Sequence, residues 1–280
     1  MNPNAPISAR LLFCMSLLFI VSCQKIHFED FVHPDKAPKF CNIKTIVAPS
    51  TFSPEIIIAN FSYNKWDDPV SILLNNTHHG QTSFYFRYDK NKRLSDFISF
   101  YNFPPPPGIN YESWHRYVWQ GNRVMRDTVW NLGFSADGQN PDNTLEGTGG
   151  KAVGYYEYDQ QDRVVKTEWY ALVNELKIWW HTETYQYNTD GNLSHHISDF
   201  GFGSVIDIEY SGYDNKVNPR RTNKVYMLVD ANYSINNPLP ATNYNQYRLP
   251  LQFNAGVFGK FIFLNSHIDL GNAAITYECK

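Results

Sequence analysis

The fold class of this chain follows from residues 156–164, which read YEYDQQDRV. Aromatic residues two positions apart lie on the same face of a β-strand. Asp159 then favours a turn, because its short side chain can accept hydrogen bonds from the backbone that follows it. Val164 begins a second alternation of apolar and polar residues. The segment therefore predicts a β-hairpin whose turn starts at Asp159.

The same pattern occurs three more times. It reads FRYDKNKRL at 86–94 and YQYNTDGNL at 185–193, and a shorter copy, YVWQGNRV, has Gln in place of Asp or Asn at 117–124. The shared form is two aromatic residues flanking a third residue, then a turn former, polar residues and an aliphatic residue. Repeat solenoids keep a fixed period, whereas these copies are unevenly spaced. The pattern indicates a meander of hairpins with loops of variable length.

We therefore expect an all-β protein, a large antiparallel meander of about ten or more strands. A twisted sheet of that size tends to curl, split or close, which predicts a strongly curved sheet or a partly closed barrel, with a β-sandwich as the alternative. One β-rich domain is predicted over 51–280, with the hairpins at about 84–219, although this length also permits two smaller domains. Further strands are expected at 56–58, 70–74, 258–264 and 273–277.

The hairpins resemble the YD-repeat family, the β-hairpin repeats of Rhs-type shells and wall-associated proteins. Residues 210–219, YSGYDNKVNP, are similar to a segment of Bacteroidota-type β-rich lipoproteins that carry a few such copies. The resemblance covers residues 84–219, about half of the chain, and several copies lack the Gly-Arg pair of a typical YD repeat. It implies a hairpin meander in a cell-envelope protein and no particular activity.

The N-terminus predicts export. Arg10 precedes the apolar run LLFCMSLLFIV at 11–21, and this run is too short for a membrane span, which needs roughly twenty residues. The next residues, Ser22 and Cys23, complete a segment that resembles the bacterial lipobox. The resemblance implies a signal peptide over 1–22 and acylation of Cys23 by fatty acids such as palmitate. An ordinary secretory signal is the alternative.

Acylated Cys23 would attach the protein to a membrane, because two or more acyl chains hold a protein stably. Residues 23–50 are then a tether and lead-in to the domain. Residue Gln24 stands where aspartate retains proteobacterial lipoproteins at the inner membrane, so the resemblance favours the outer membrane. The sequence leaves the periplasmic face and the cell surface open.

Two other cysteines remain in the mature chain. Cys41 lies near its start and Cys279 next to its end, while Cys14 is removed with the signal. An oxidising compartment favours a disulfide between Cys41 and Cys279. Two separate thiols are the alternative, because the distance between them cannot be read from the sequence.

Charge and motifs exclude several functions. The chain has 24 basic and 27 acidic residues and no basic patch, so nucleic acid is not an expected partner. The histidine pairs at 78–79 and 195–196 and the oxygen-rich loop at 137–146 lack metal-ligand spacing, so no metal and no cofactor are predicted. No nucleophile motif is present. The chain is therefore not expected to be an enzyme. A glycosidase would need a pair of carboxylates, and nothing in the spacing of the candidates singles out a pair; they are Asp67, Asp68, Glu157 and Glu168.

Tryptophan suggests one binding hypothesis. Exposed rings on a sheet can form a platform for the flat faces of sugars, although large aromatic residues also dominate cores. The first hypothesis is a non-enzymatic module that binds a polysaccharide or another envelope ligand, and the second is a structural or protein-interaction role through a flat patch or open edge strand. A glycan hydrolase with two converging carboxylates comes last. The candidate platform is Trp114, Trp119, Trp130, Trp169, Trp179 and Trp180.

Overall fold

The structure is a computed structural model, and it describes most of the chain after the N-terminal segment. The predicted signal peptide at 1–22 and the lipidation site Cys23 lie outside the described residues. Within the described part, no helix is long and apolar enough to cross a membrane. The described residues are 41–50, 55–101, 108–141, 143–144, 150–174, 176–239, 241–254, 261–264 and 268–280.

Strands make up nearly all of the regular structure, as the alternating aromatic pattern predicts. One short helix, α1 (Lys224–Val229), follows the hairpins, and two 3₁₀ turns span Pro219–Thr222 and Leu270–Asn272. The strands are β1 (Cys41–Pro49), β2 (Ile56–Tyr63), β3 (Pro69–Leu74), β4 (Ser83–Tyr88), β5 (Leu94–Tyr101), β6 (Ile109–Gln120), β7 (Arg123–Ser135), β8 (Asn143–Thr144), β9 (Lys151–Tyr158), β10 (Val164–Val173), β11 (Leu176–Tyr187), β12 (Leu193–Asp199), β13 (Val205–Glu209), β14 (Ala241–Tyr244), β15 (Pro250–Phe253), β16 (Ile262–Phe263), β17 (Ile268–Asp269) and β18 (Ala274–Cys279).

Sixteen of these strands form one antiparallel sheet, in the order β13-β12-β11-β10-β9-β7-β6-β5-β4-β3-β2-β1-β18-β15-β14, with β8 beside β7. The predicted all-β meander is therefore confirmed. The sheet is open, because no pairing joins its end strands β13 and β14 within the described part of the chain. It is one continuous sheet, and the sandwich alternative is not observed; β16 and β17 form a separate two-stranded ribbon.

The sheet curves strongly around α1. The hydroxyl of Tyr63 on β2 lies 2.9 Å from the hydroxyl of Tyr226 on α1. Five residues later, the carbonyl of Ala231 accepts a hydrogen bond of 3.1 Å from the hydroxyl of Tyr187 on β11. In a flat sheet, the eight strand spacings between β2 and β11 would amount to about 38 Å. Because side chains stand roughly perpendicular to a sheet, one short segment meets both strands only if the sheet bends around it.

Five hairpin turns share one hydrogen-bonding pattern. Each begins with Asn or Asp, whose side-chain oxygen accepts hydrogen bonds of 2.8–3.1 Å from the backbone N–H groups two and four residues later. The residue three positions later has a positive φ and donates its N–H to the first residue's carbonyl. The first residues are Asn64, Asp89, Asp159, Asn188 and Asn245, and the positive-φ residues are Asp67, Lys92, Asp162, Gly191 and Arg248.

Three of these turns belong to predicted copies, and two do not. The turns that begin at Asn64 and Asn245 lie outside the predicted range of 84–219, so the turn pattern is more widespread than predicted. The weak copy at 117–124 forms a different turn, in which Gln120 pairs directly with Arg123 across a two-residue loop. Glutamine explains the difference, since its longer side chain is not a strong turn former.

The positive-φ position predicts opposite effects of two substitutions. Gly191→Ala should lower the free energy of unfolding by about 1–2 kcal/mol, because φ is +78° and a Cβ would lie 2.8 Å from Cδ1 of Ile235. Arg248→Gly should raise the free energy of unfolding by about 0.5–1 kcal/mol. Arg248 has a left-handed backbone at φ 67°, which glycine adopts without the steric cost of a Cβ, and the lost side chain is exposed. Urea unfolding measures both. If both substitutions changed the free energy of unfolding in the same direction, the two positions would not share the left-handed turn conformation.

The two faces of the sheet carry separate cores. On the curved inner face, Tyr226 of α1 packs against Phe61, Phe86 and Phe263, with ring centroids 6.2, 6.4 and 5.1 Å away. On the outer face, a smaller cluster surrounds the fully buried Trp114. Alternation along each strand assigns neighbouring residues to opposite cores.

The lead-in predicted over 23–50 is described only from residue 41, and there it differs from the structure. Residues 41–49 form β1, which pairs with β2 and with β18 in the main sheet. Cys41 and Cys279 face each other across β1 and β18 and form a disulfide, with their sulfur atoms 2.01 Å apart. The cross-link thus joins the first and last strands of the described chain.

Candidate binding cavity

A cavity of about 290 Å³ lies between the inner face of the sheet and α1. Strands β6 to β12, apart from β8, supply its floor and sides, and Leu228, Val229 and Ala231 close it from the helix side. Among the described residues, no lysine or arginine lines it. Its aromatic lining residues are Tyr117, Tyr156, Trp169, Trp180 and Tyr185, and its polar ones are His115, Asp127, Asn131, Thr167, His181, Glu183 and His196.

Four residues form a straight row across the cavity floor. Asp127 of β7 pairs with Gly154 of β9, Gly154 pairs with Trp169 of β10, and Trp169 pairs with His181 of β11. Directly paired residues of neighbouring antiparallel strands lie on the same face of the sheet. The row therefore places a carboxylate and an imidazole on the two sides of an indole ring.

Gly154 allows Trp169 to lie flat on the sheet. A Cβ atom at Gly154 would be 2.9 Å from three atoms of the six-membered indole ring, so any larger residue would displace the ring. The indole nitrogen of Trp169 donates a hydrogen bond of 3.2 Å to Oγ1 of Thr167, which fixes the ring's orientation. The ring of His181 lies nearly parallel to it, at 15° and 6.1 Å between centroids. One indole face is therefore covered by Gly154, and the ring forms an aromatic floor.

Asp127 is fully buried and only half satisfied. Its Oδ2 accepts a hydrogen bond of 2.7 Å from Nδ1 of His115 and a longer one of 3.4 Å from the Tyr156 hydroxyl. Its Oδ1 is buried and has no hydrogen-bond partner in the described structure. Burial, and then the nearby charge of Asp127, raises the pKa of Tyr156 well above its usual value, so the phenol stays a donor. A buried carboxylate oxygen without a donor is costly, which marks this atom as a candidate contact for a ligand.

Glu183 is held by three donors. His181 Nε2 lies 3.3 Å from its Oε1, and its Oε2 accepts hydrogen bonds from His196 Nε2 at 2.5 Å and from the Ser198 hydroxyl at 2.7 Å. Burial by itself would raise the pKa of Glu183, but these hydrogen bonds outweigh it and lower the pKa to about 2. The carboxylate is thus ionised and positions both histidines. His181 keeps a buried Nδ1 that has no partner among the described residues.

This arrangement predicts a specific loss of stability in acid. A carboxylate whose folded-state pKa is about 2, against an ordinary 4.5, stabilises the fold above pH 4.5, and the contribution disappears as the pH falls towards 2. Glu183→Gln should lower the free energy of unfolding by up to about 3 kcal/mol at neutral pH, with wild type and variant converging near pH 2. Urea unfolding of both proteins across this pH range tests the prediction. A difference in the free energy of unfolding that does not change with pH would contradict the lowered pKa of Glu183.

The structure does not bring the six predicted tryptophans together. Trp169 and Trp180 line the cavity, and Trp180 is 46% exposed. Trp114 and Trp130 pair across β6 and β7 on the outer face, where Trp114 is completely buried. Alternation along the strands separates the two groups. Of the other two, Trp119 packs against the inner core and donates to the carbonyl of Leu94, and Trp179 is 40% exposed beside Gly201.

The other residues singled out from sequence lie outside the cavity, with one exception. His195 and His196 face opposite ways on β12: His195 contacts Asp207, and His196 lines the cavity beside Glu183. Glu157 and Glu168 both pair with Lys166. The pair His78–His79 lies in a turn, Asp67 contacts Lys280, and Asp68 closes the turn that Asn64 begins. Among the described residues, no cluster has the composition of a metal site.

Sequence reasoning missed the residues that form the cavity floor. Asp127, Gly154, His181 and Glu183 all occupy strand positions that face the inner core. Two signals were available: a glycine inside a strand often marks the close approach of another group, and a charged residue at an inward position of an alternating strand is unusual. Neither signal shows which strands become neighbours.

Comparisons with known proteins give little further information. No protein family and no curated protein matches the chain. A chain in the crystal structure of TcdB2-TccC3 is similar over 71% of this chain and 10% of its own length, with 14% identity and a TM-score of 0.29. A chain in that of TcdB2-TccC3-Cdc42 is similar over 69% and 11%, with 14% identity and a TM-score of 0.23. Likeness at these TM-scores carries no argument, so the resemblance to YD repeats rests on the hairpin motifs.

Proposed function

We propose that this protein is a non-enzymatic binding module that holds a sugar residue of a polysaccharide in the cavity. The supporting observation is the indole floor of Trp169, which lies between two polar atoms that have no partner among the residues the structure describes, Asp127 Oδ1 and His181 Nδ1. A sugar ring has an apolar C–H face and equatorial hydroxyl groups at its rim. Stacking of that face on Trp169 would direct the hydroxyl groups outward to Asp127 and His181.

The environment of the carboxylates favours binding over hydrolysis. A glycosidase needs one carboxylic acid with a raised pKa that can protonate the leaving group. Glu183 has a lowered pKa of about 2, and both of its oxygens are occupied by histidine and serine donors. A carboxylate with this environment orients neighbouring side chains and does not donate a proton.

A glycan array of bacterial-envelope and dietary polysaccharides, followed by calorimetry on the best ligand, tests the proposal. Trp169→Ala should weaken binding at least about tenfold, or about 1.4 kcal/mol, because it removes both a stacking contribution of roughly 1 kcal/mol and the apolar area that the ring buries. Gly154→Ala should weaken it too, since the added methyl group displaces the indole.

Trp130→Ala is the matched control for this experiment. Trp130 is half-buried on β7 but lies on the outer face, against Trp114. Its loss should leave the affinity within about twofold of wild type. Binding that survives both cavity substitutions, or that depends on Trp130, would contradict a site on the inner face.

We also propose that the module is exported and anchored by lipid at Cys23, in the outer membrane. The support is the sequence alone: residues 10–23 for export and acylation, and Gln24 for the outer membrane. The mass of the mature N-terminal peptide from a bacterial host tests it, with Cys23→Ala as control. Diacylglycerol on Cys23 and membrane association, both lost in the variant, are expected; an unmodified N-terminus would overturn the anchor.

A protein-interaction role is the second candidate, because β13 is an edge strand of the sheet that the described residues form. Val205, Ile206 and Ile208 of β13 are 55%, 53% and 41% exposed. Self-pairing with a second copy would place Ile206 against Ile208 and cover the unpaired backbone. Analytical ultracentrifugation should then show a dimer that Ile206→Lys abolishes. A monomer at every concentration would contradict the pairing of β13 with a second copy of the chain.

A further inference from the structure

Within the described part of the chain, two buried polar atoms of the cavity have no hydrogen-bond partner, and one of them can only accept. Asp127 is a carboxylate whose Oδ2 is used by His115 and Tyr156, so Oδ1 can only accept. A carboxylate cannot donate, so the contact between His181 and Glu183 requires the proton on Nε2 of His181. The other ring nitrogen, Nδ1, is the second buried atom without a partner among the described residues. A complementary ligand must therefore bring a hydrogen-bond donor to Asp127 Oδ1, beside the Trp169 ring.

The charges of the cavity point in the same direction. Asp127 and Glu183 contribute two carboxylates, and the described lining has no lysine or arginine; the groups paired with the carboxylates are histidines, His115 with Asp127, and His181 and His196 with Glu183. Asp127 is fully buried and on the lining face of β7, which also presents Val129 and Asn131 to the cavity. An ionised donor forms stronger hydrogen bonds to a carboxylate than a neutral one, particularly where water is excluded.

We propose that the saccharide bound in this cavity carries a free amino group, whose ammonium binds Asp127 Oδ1 while the sugar ring stacks on Trp169. This inference rests on the proposed binding function. An ammonium group has three donors and no acceptor, so it satisfies Oδ1 without adding lone pairs beside the carboxylates. A hydroxyl group in the same position would add them, and an N-acetyl group would remove the charge and introduce a carbonyl oxygen.

The test compares two ligands that differ only in this group. A glucosamine oligosaccharide and its fully N-acetylated counterpart of equal length are titrated calorimetrically into the wild-type protein, at a pH where the amine is protonated. The amine form should bind at least about tenfold more tightly, and this preference should shrink as salt is added. An alkyl diamine, which has the charge but no ring to stack on Trp169, should bind more weakly than the amino sugar.

Asp127→Asn and Asp190→Asn provide matched variants. Each removes one negative charge, but Asp190 lies exposed in a hairpin turn away from the cavity lining. Asp127→Asn should reduce the affinity for the amine form to that for the acetylated form, and Asp190→Asn should change neither. If Asp127→Asn does not fold, the wild-type preference between the two oligosaccharides still decides the inference.

The other outcomes distinguish failure of the amino-sugar inference from failure of the proposed binding function. Equal or tighter binding of the acetylated form would overturn the amino-sugar inference and leave a neutral-sugar site standing. Diamine binding as tight as that of the amino sugar would overturn the role of the ring. If neither oligosaccharide nor any glycan on the array binds, the proposed function itself fails.

Discussion

Replacing Cys279 by serine is expected to lower the free energy of unfolding by about 4 kcal/mol. The disulfide between Cys41 and Cys279 closes a loop across a sequence separation of 238 residues. A cross-link over so long a loop removes much of the conformational entropy of the unfolded chain, about 5 kcal/mol in the chain-entropy model and somewhat less in practice. Cys279 is exposed, so the serine itself disturbs little packing.

Reduction of the wild-type protein is the control. Urea unfolding with and without a thiol reductant should move the wild-type curve to that of Cys279→Ser, and the reductant should leave the variant unchanged. Two free thiols in the unreduced wild-type protein, or a curve that does not respond to the reductant, would show that the cysteines do not pair. The pairing matters for the fold because β1 and β18 connect the hairpins to the C-terminal strands β14 and β15.

The hairpin part of the fold could be predicted because its cause is local. An aromatic pair, a short Asn or Asp and a returning aliphatic residue determine each turn within about nine residues, and the structure shows the expected side-chain to backbone hydrogen bonds at Asp89, Asp159 and Asn188. The turns at Asn64 and Asn245 obey the same chemistry. Neither has the Gly-Arg pair of a typical YD repeat three and four residues after its first residue, where Asp67-Asp68 and Arg248-Leu249 stand.

The cavity could not be predicted because its cause is not local. Asp127, Trp169 and His181 become a row only through the register of four strands, and the register depends on bulges such as the one between Trp169 and Tyr170. The curvature that brings α1 over this row depends on contacts between β2, α1 and β11. Periodicity shows which face of a strand a residue occupies and not which distant strand lies next to it.

Trp114→Ala is expected to lower the free energy of unfolding by about 4 kcal/mol without loss of glycan binding by the folded protein. Trp114 is 0% exposed, and truncation of a buried aromatic residue to alanine typically costs about 3–5 kcal/mol. Its indole nitrogen also donates a hydrogen bond of 2.9 Å to Oδ1 of Asp96, and its ring meets Tyr111 edge-on at 5.6 Å. The alanine would leave Asp96 bound to Arg116 and Ser95 but without the indole donor.

Comparison with Trp169→Ala separates a core tryptophan from a ligand-binding one. Trp169 is only partly buried, so its loss should cost less stability than the loss of Trp114, while it should weaken glycan binding at least about tenfold. Urea unfolding and calorimetry on the same two variants should therefore give opposite rankings. If Trp114→Ala also abolished binding at temperatures where it is folded, the outer face would belong to the ligand site. The two rankings together decide whether the sheet binds sugar with its inner face.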